Sequence, residues 1–248
     1  MIDLQQFVHF QGEYIVSKII SSLEPVWSCA PETKQECFEL LSRHFDHVSW
    51  KQFNTDFHEK QYVALLRKEE RIVGFSTMVT IPITTAEGNH ISVAFSGDTV
   101  VEFDSRNSVG LGVVLASFFR ENISAYGDGN VWYVLISKGW RTYKAMEFMF
   151  HSFTPYPRKN ITSGERSIIA SFGRSKYPSR FDQEKLVLHG LEGDQKLRDG
   201  SQDLEVPSTE LGIFFKEKNP NFANGDELIC LARLSYDNFT ERFKRCFR

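Results

Sequence analysis

The chain has 248 residues and sets 29 Lys and Arg against 32 Asp and Glu, a formal charge of −3. That balance excludes a sequence-independent nucleic-acid binder, which needs many basic contacts to displace phosphate counterions. With 41% hydrophobic and 25% charged residues, the composition is that of a folded globular chain, neither disordered nor membrane-embedded.

In chain order, Ile15, Ile19, Ile20 and Leu23 recur at helical spacing up to Pro25 and predict a first helix. Cys37, Leu40, Leu41 and Phe45 predict a second, starting near Pro31, and Phe53 with Phe57 a short third. The period then changes. The runs Tyr62–Leu66 and Ile72–Val79 flank a polar turn and predict an antiparallel hairpin. A long strand is expected from Ile91 to Val101, then a polar, Gly-containing loop opening a helix through Leu115, Phe118 and Phe119. Val131–Ile136 reads as a strand buried on both faces, and Tyr143–Phe150 as a helix. From Thr154 to Pro207 the chain is more polar, with surface loops expected at the Pro155-Tyr156-Pro157 turn and over Gly190–Gly200, and a short strand at Leu186–Leu188. Glu227–Ala232 is a further strand. Phe239, Phe243 and Phe247 lie four apart among Arg242, Lys244, Arg245 and Arg248. They predict a terminal helix packed on the core, or a basic apolar stripe for a membrane surface or an acidic carrier protein.

Four cysteines without a CxxC pair offer neither a disulfide framework nor a zinc or thioredoxin-like motif. His44-x-x-His47 with Asp46 lacks a third ligand cluster and reads as a polar helix end, so no metal is expected. No signal-peptide pattern and no apolar run of spanning length is present, so no membrane insertion and a cytoplasmic location are expected.

The segment Thr99–Phe119 carries the chemistry. A strand feeding a Gly-containing loop at a helix start is an anion site, because the first helical N–H groups lack internal partners and the helix dipole adds positive charge. Glycines let the backbone approach phosphate oxygens. Gly110-Leu111-Gly112 fits this pattern but lacks the third Gly of a Rossmann fingerprint and the GK[ST] of a P-loop. The same glycines also suit a plain tight turn.

From Tyr62 to Phe150 the order hairpin, long strand, Gly loop, helix, buried strand resembles the GNAT acyltransferase superfamily. In that family the fourth strand ends in V-x-P-x-x-[RQ]-x-x-G-x-[GA]. Here Val101 and Arg106 match V-x-x-x-x-R, and Gly110-Leu111-Gly112 matches G-x-G. Phe103 stands where Pro is common, Asn107 takes the Arg or Gln place counted back from Gly110, and Ser108 replaces the first loop glycine. The resemblance implies an α+β, three-layer fold, a mixed and mostly antiparallel sheet flanked by helices. It also implies a single domain: a helical extension over 1–60, a donor-binding core over 61–153, an insertion over 154–207, and a C-terminal strand and helix over 208–248.

The function it implies is transfer of an acyl group from acetyl-CoA or a longer acyl-CoA to an amine of a small molecule or peptide. The fourth and fifth strands of the family splay, and the pantetheine arm lies between them. Thr99, Val100 and Val101 would pair with pantetheine. Val109, Gly110, Leu111, Gly112 and Val113 would hold the pyrophosphate, flanked by Arg106, Asn107 and Ser108. The acceptor amine must lose a proton before attack, for which Asp98 and Glu102 are the candidates. Tyr143, in the helix after the fifth strand, is the candidate to reprotonate the thiolate.

Phe occurs 22 times against 8 Tyr and 4 Trp. The surplus reads as a Phe-rich core or as an apolar tunnel. A tunnel suits a long acyl chain, at about 0.8 kcal/mol per buried methylene, carried on coenzyme A or on an acyl-carrier protein. Two other readings stand beside the enzyme: a GNAT-like binding or interaction module without catalysis, and an unrelated α+β enzyme whose Gly loop takes another phosphate ligand.

Overall fold

The computed structural model describes residues 14–16, 19–106 and 110–248. The strands are β1 (Tyr14–Val16), β2 (Ile19–Pro25), β3 (Phe45–Asp46), β4 (Tyr62–Lys68), β5 (Arg71–Thr84), β6 (His90–Val101), β7 (Val131–Ser137), β8 (Phe181–Asp182), β9 (Val187–Leu188), β10 (Lys196–Leu197) and β11 (Glu227–Leu234). The helices are α1 (Pro31–His44), α2 (Trp50–His58), α3 (Gly110–Tyr126), α4 (Trp140–Met149), α5 (Ser163–Lys176), α6 (Glu210–Lys218) and α7 (Glu241–Lys244). Among the described residues no helix is long and apolar enough to cross a membrane.

One sheet runs in the order β1-β2-β4-β5-β6-β7-β11-β9-β8. All its pairs are antiparallel except β6 with β7. Alternate residues of each strand face opposite layers, and both layers are covered. Val63, Leu65 and Phe75 meet α1 and α2 on one face. On the same face Phe95, Val134 and Ile229 meet α5 through Ile169 and Phe172. Ala64, Ala94, Tyr133 and Cys230 turn to the other face, against α3, α4, α6 and the C-terminal segment. The result is the three-layer, mostly antiparallel α+β architecture expected from the GNAT resemblance.

The Phe surplus goes mainly into this core. Phe119 contacts Tyr133, Phe150, Phe239 and Phe243, with ring centroids 4.7–6.0 Å apart. Phe239 and Phe243 are fully buried, so the terminal Phe stripe packs inward on α3, as one of its two readings predicts.

The first expected element is corrected. Ile15 lies not on a helix but on β1, and Ile19, Ile20 and Leu23 lie on β2. Ile19–Pro25 pairs residue for residue with Lys68–Tyr62 of β4. The isoleucines fit a pleated surface, and an available sheet edge overrides a spacing that a helix would also satisfy. The stretch 154–207 also contains α5, which the sequence reading did not place. Thr162 caps this helix by accepting from the Glu165 amide at 3.2 Å, while the Glu165 carboxylate accepts from the Thr162 amide at 2.9 Å. That reciprocal box satisfies two otherwise orphaned N–H groups.

Candidate functional site

The parallel pairing of β6 and β7 begins at Ser92–Val131 and ends at Ser96–Leu135. Beyond that point β6 continues to Val101 and β7 to Ser137 without pairing to each other. The cause is local. Across from β5, Ser96 pairs with Met78 and Thr99 with Ser76, so Gly97 and Asp98 lie opposite the single residue Thr77. This bulge bends β6 where it parts from β7. Gly97 is required by close approach: a Cβ there would lie 2.7 Å from Thr77 Oγ1 and 2.8 Å from Lys60 Cε. The bend leaves one edge of β6 without a strand partner.

A cleft of about 1020 Å³ opens at this gap on the α3–α4 face. Thr99, Val100, Val101, Arg106, Leu111 and Gly112 line it. Its cationic side chains are Arg106, Lys138, Arg141, Lys144 and Arg242, set against Glu147, Asp203 and Glu205. An excess of cations over carboxylates favours an anionic ligand. Its deep wall is apolar, from Leu115, Leu135, Ala145 and Met149.

Asn107, Ser108 and Val109 lie outside the described residues. Gly110 and Val113 do not line the cleft. A Cβ on Gly110 would meet Ser21 Oγ at 2.6 Å and Leu66 Cδ2 at 3.1 Å, so this glycine lets α3 approach β2 and β4. Val113 belongs to the core. Gly112 faces the cleft, with Cys246 Sγ 3.1 Å from where its Cβ would stand. The Arg106 guanidinium is already engaged. Its Nε donates to the Val101 carbonyl at 3.0 Å, and Nη1 and Nη2 donate to Asp203 at 3.0 and 2.9 Å. Arg141 Nε lies 3.1 Å from the same carboxylate.

The three catalytic candidates separate. Asp98 sits at the bulge and lines a second pocket of about 140 Å³ on the opposite face, between α2 and α5. Burial raises its carboxyl above the usual aspartate range, against the pull of Lys60 and Lys138. Glu102 lines neither pocket. It accepts from Arg43 Nη2 at 2.9 Å and lies 3.4 Å from His44 Nε2, tying α1 to the end of β6. Partial burial raises its carboxyl, but Arg43 and His44 outweigh this and the net shift is downward, which makes it a weak proton acceptor. Tyr143 is fully buried and stacks on Phe215, and its hydroxyl donates to the Pro155 carbonyl at 2.9 Å. It does not reach the cleft, because packing and a backbone acceptor consume the whole side chain.

The phenol that does line the cleft, among the described residues, is Tyr133. Its hydroxyl donates to Ser96 Oγ at 3.0 Å, at the vertex where the strands part. The two pockets share Phe45, Ser96, Thr99, Lys138 and Thr142 in their walls, so they approach each other from opposite faces through the gap. The sequence reading missed Asp203 and Lys60. For Lys60 the available signal was Asp56 and Lys60 four apart at the end of a predicted helix. For Asp203, 97 positions from Arg106, no local signal exists.

The chain matches no protein-family model and no curated protein. Among solved structures it is similar to an Enterococcus faecalis protein described as a probable N-acyltransferase, at 11% identity and a TM-score of 0.41, over 54% of this chain and 33% of that one. It is similar to the Escherichia coli GNAT family N-acetyltransferase YhbS, solved with CoA, at 13% identity and a TM-score of 0.37, over 49% of this chain and 63% of that one. A Trypanosoma brucei acetyltransferase gives 15% identity and 0.38, over 58% and 99% of the respective chains. Likenesses this distant carry no argument, and the functional reading rests on the bulge, the gap and the two pockets.

Proposed function

We propose that this chain, GNAT-like in fold, is an N-acyltransferase that takes its acyl group from acetyl-CoA or a longer acyl-CoA. The observation that carries the reading is the opening of the sheet beyond Ser96 and Leu135, with one edge of β6 unpaired above a cationic cleft. An extended arm of amides fits such an edge as an added strand does. The cations at the mouth suit a diphosphate, and the apolar wall suits the acyl end.

The acceptor enters from the opposite face. Its amine nitrogen attacks the thioester carbonyl carbon, the C–S bond breaks, and the thiolate leaves toward the donor side. Asp98 takes the amine proton, and its raised affinity for protons suits that task. Tyr133, at the vertex, is the phenol placed to protonate the departing sulfur. Holding both reactants across one gap supplies the proximity that such a reaction needs.

One observation favours the second reading, a GNAT-like binding module without transfer. The guanidinium that a diphosphate would use is held by the chain's own Asp203. Calorimetric titration with acetyl-CoA, octanoyl-CoA, ATP and NAD, followed by a thiol-release assay with a mixed amine panel, separates the readings. The enzyme binds an acyl-CoA but neither nucleotide cofactor, and releases thiol only when amine is present. Binding without release, or no acyl-CoA binding at all, refutes the enzyme, and the latter is the outcome that an Arg106 held by Asp203 gives for the module.

A further inference from the structure

Resting on the acyltransferase reading, we infer that the acceptor is a small amino acid, held with its carboxylate on Lys60 and its amine toward Asp98. The acceptor-side pocket, at about 140 Å³, is far smaller than the donor cleft. It is rich in charge, and most of that charge is internally matched. Arg180 pairs with Glu227 at 3.1 Å and Asp194 at 3.6 Å. Lys138 pairs with Glu227 at 3.6 Å and donates to the Gln195 carbonyl at 2.7 Å. Lys176 pairs with Glu59 at 3.1 Å.

Lys60 differs from these. It is 8% exposed, and its ammonium donates to the backbone carbonyl of Asp56 at 2.8 Å. No carboxylate among the described residues lies within ion-pair distance of it. Its stem packs against the bulge at Gly97, which fixes the ammonium at the wall of the pocket. A buried ammonium without a counterion is unfavourable. Burial lowers its proton affinity, Lys176 adds to that, and the fields of Asp56 and Asp98 only partly offset it.

Asp98, the residue after Gly97, lines the same pocket, and its carboxylate has no hydrogen-bond partner among the described residues. An ammonium whose partners are a backbone carbonyl and the Phe95 ring rather than a carboxylate, and a carboxylate without a hydrogen-bond partner among the described residues, both at one bulge beside the gap, complement a zwitterion. The ligand carboxylate supplies the counterion that Lys60 lacks. The ligand amine meets the base next to the acyl donor. A plain amine leaves Lys60 uncompensated, and a long peptide does not fit the volume.

The test measures thiol release from acetyl-CoA with the small α-amino acids glycine, alanine and serine, and with methylamine, ethylamine and ethanolamine, which lack only the carboxylate. Each amino acid is expected to exceed its amine in kcat/KM by on the order of 10- to 100-fold, the range of a charged hydrogen bond. In Lys60→Met that ratio falls to about one, through KM for the amino acid, and in Lys60→Arg it is largely kept. The wild-type comparison stands even if a variant fails to fold. Amines that match the amino acids overturn this inference and leave the acyltransferase reading intact. So does an enzyme that binds acetyl-CoA but acylates none of the amino acids. Failure to bind any acyl-CoA removes the underlying reading instead.

Discussion

Replacing Asp203 by Ala separates the two roles that Arg106 serves. In the present structure Asp203 is 16% exposed, faces the 19% exposed Arg106 in a bidentate pair, and has the half-exposed Arg141 beside it. Hydrogen bonds between charged groups contribute about 1.5–3 kcal/mol, and the solvent-facing Arg141 adds less than about 1 kcal/mol. Loss of the carboxylate therefore costs about 2–3 kcal/mol of stability. At about 2–4 °C per kcal/mol for a chain of this size, Tm falls by about 4–12 °C. Donor affinity moves the other way. Two guanidinium groups are released to the diphosphate and a repelling charge is removed, so acetyl-CoA binds about tenfold or more tightly, which corresponds to about 1.4 kcal/mol. Differential scanning calorimetry and isothermal titration of the same preparation read both quantities. Asp203→Asn, which keeps the shape and removes the charge, gives the same two signs. A variant with lowered Tm but unchanged or weaker donor binding refutes the placement of the diphosphate over Arg106.

Two further outcomes follow from the separated candidates. Asp98→Asn lowers kcat by about 10²–10⁴, the usual contribution of a positioned base, while the Kd for acetyl-CoA is unchanged. Because burial raises the Asp98 carboxyl, the acidic limb of wild-type kcat/KM lies above the ordinary aspartate range: activity is lost as pH falls through that value and the base becomes protonated. A limb that survives in Asp98→Asn assigns the base elsewhere. Tyr143→Phe removes the bond to the Pro155 carbonyl, costs about 0.5–1.5 kcal/mol of stability and leaves kcat essentially unchanged. A loss of about 100-fold or more in kcat would return Tyr143 to the role that the resemblance implies.

The strands that build the gap were legible because their signal is local. Tyr62–Leu66 and Val131–Ile136 are continuous apolar runs, which sheets buried on both faces demand, and Ile72–Val79 and Ile91–Val101 are strand-length stretches rich in β-branched and aromatic residues. α1 and α2 were legible from one apolar face each. The first two strands were not, since Ile15, Ile19 and Leu23 fit a two-residue period as well as a helical one, and only the partner strand decides. α5 was hidden by polar composition, although its capping box, Thr162 with Glu165, stands in the sequence.

The site was half legible. Thr99, Val100, Val101, Arg106, Leu111 and Gly112 do come together in one cleft, because a strand end and the following helix start are adjacent by chain connectivity. Sequence position said that Asp98 and Glu102 share a strand end. It did not say that a bulge at Gly97 and Asp98, read only against β5, turns Asp98 into one pocket while Arg43 captures Glu102. Nor did it show Gly110 serving the packing of α3 on Ser21 and Leu66.

The central claim is that the separation of β6 from β7 receives the pantetheine arm. A crystal structure of the protein grown with acetyl-CoA tests it most directly. The arm should lie between β6 and β7 beyond Ser96 and Leu135, hydrogen-bonded to the backbone around Thr99 and Val100, with its thioester near Tyr133 and Asp98. Acetyl-CoA bound elsewhere on the molecule, with the two strands still parted and the gap empty, would contradict it.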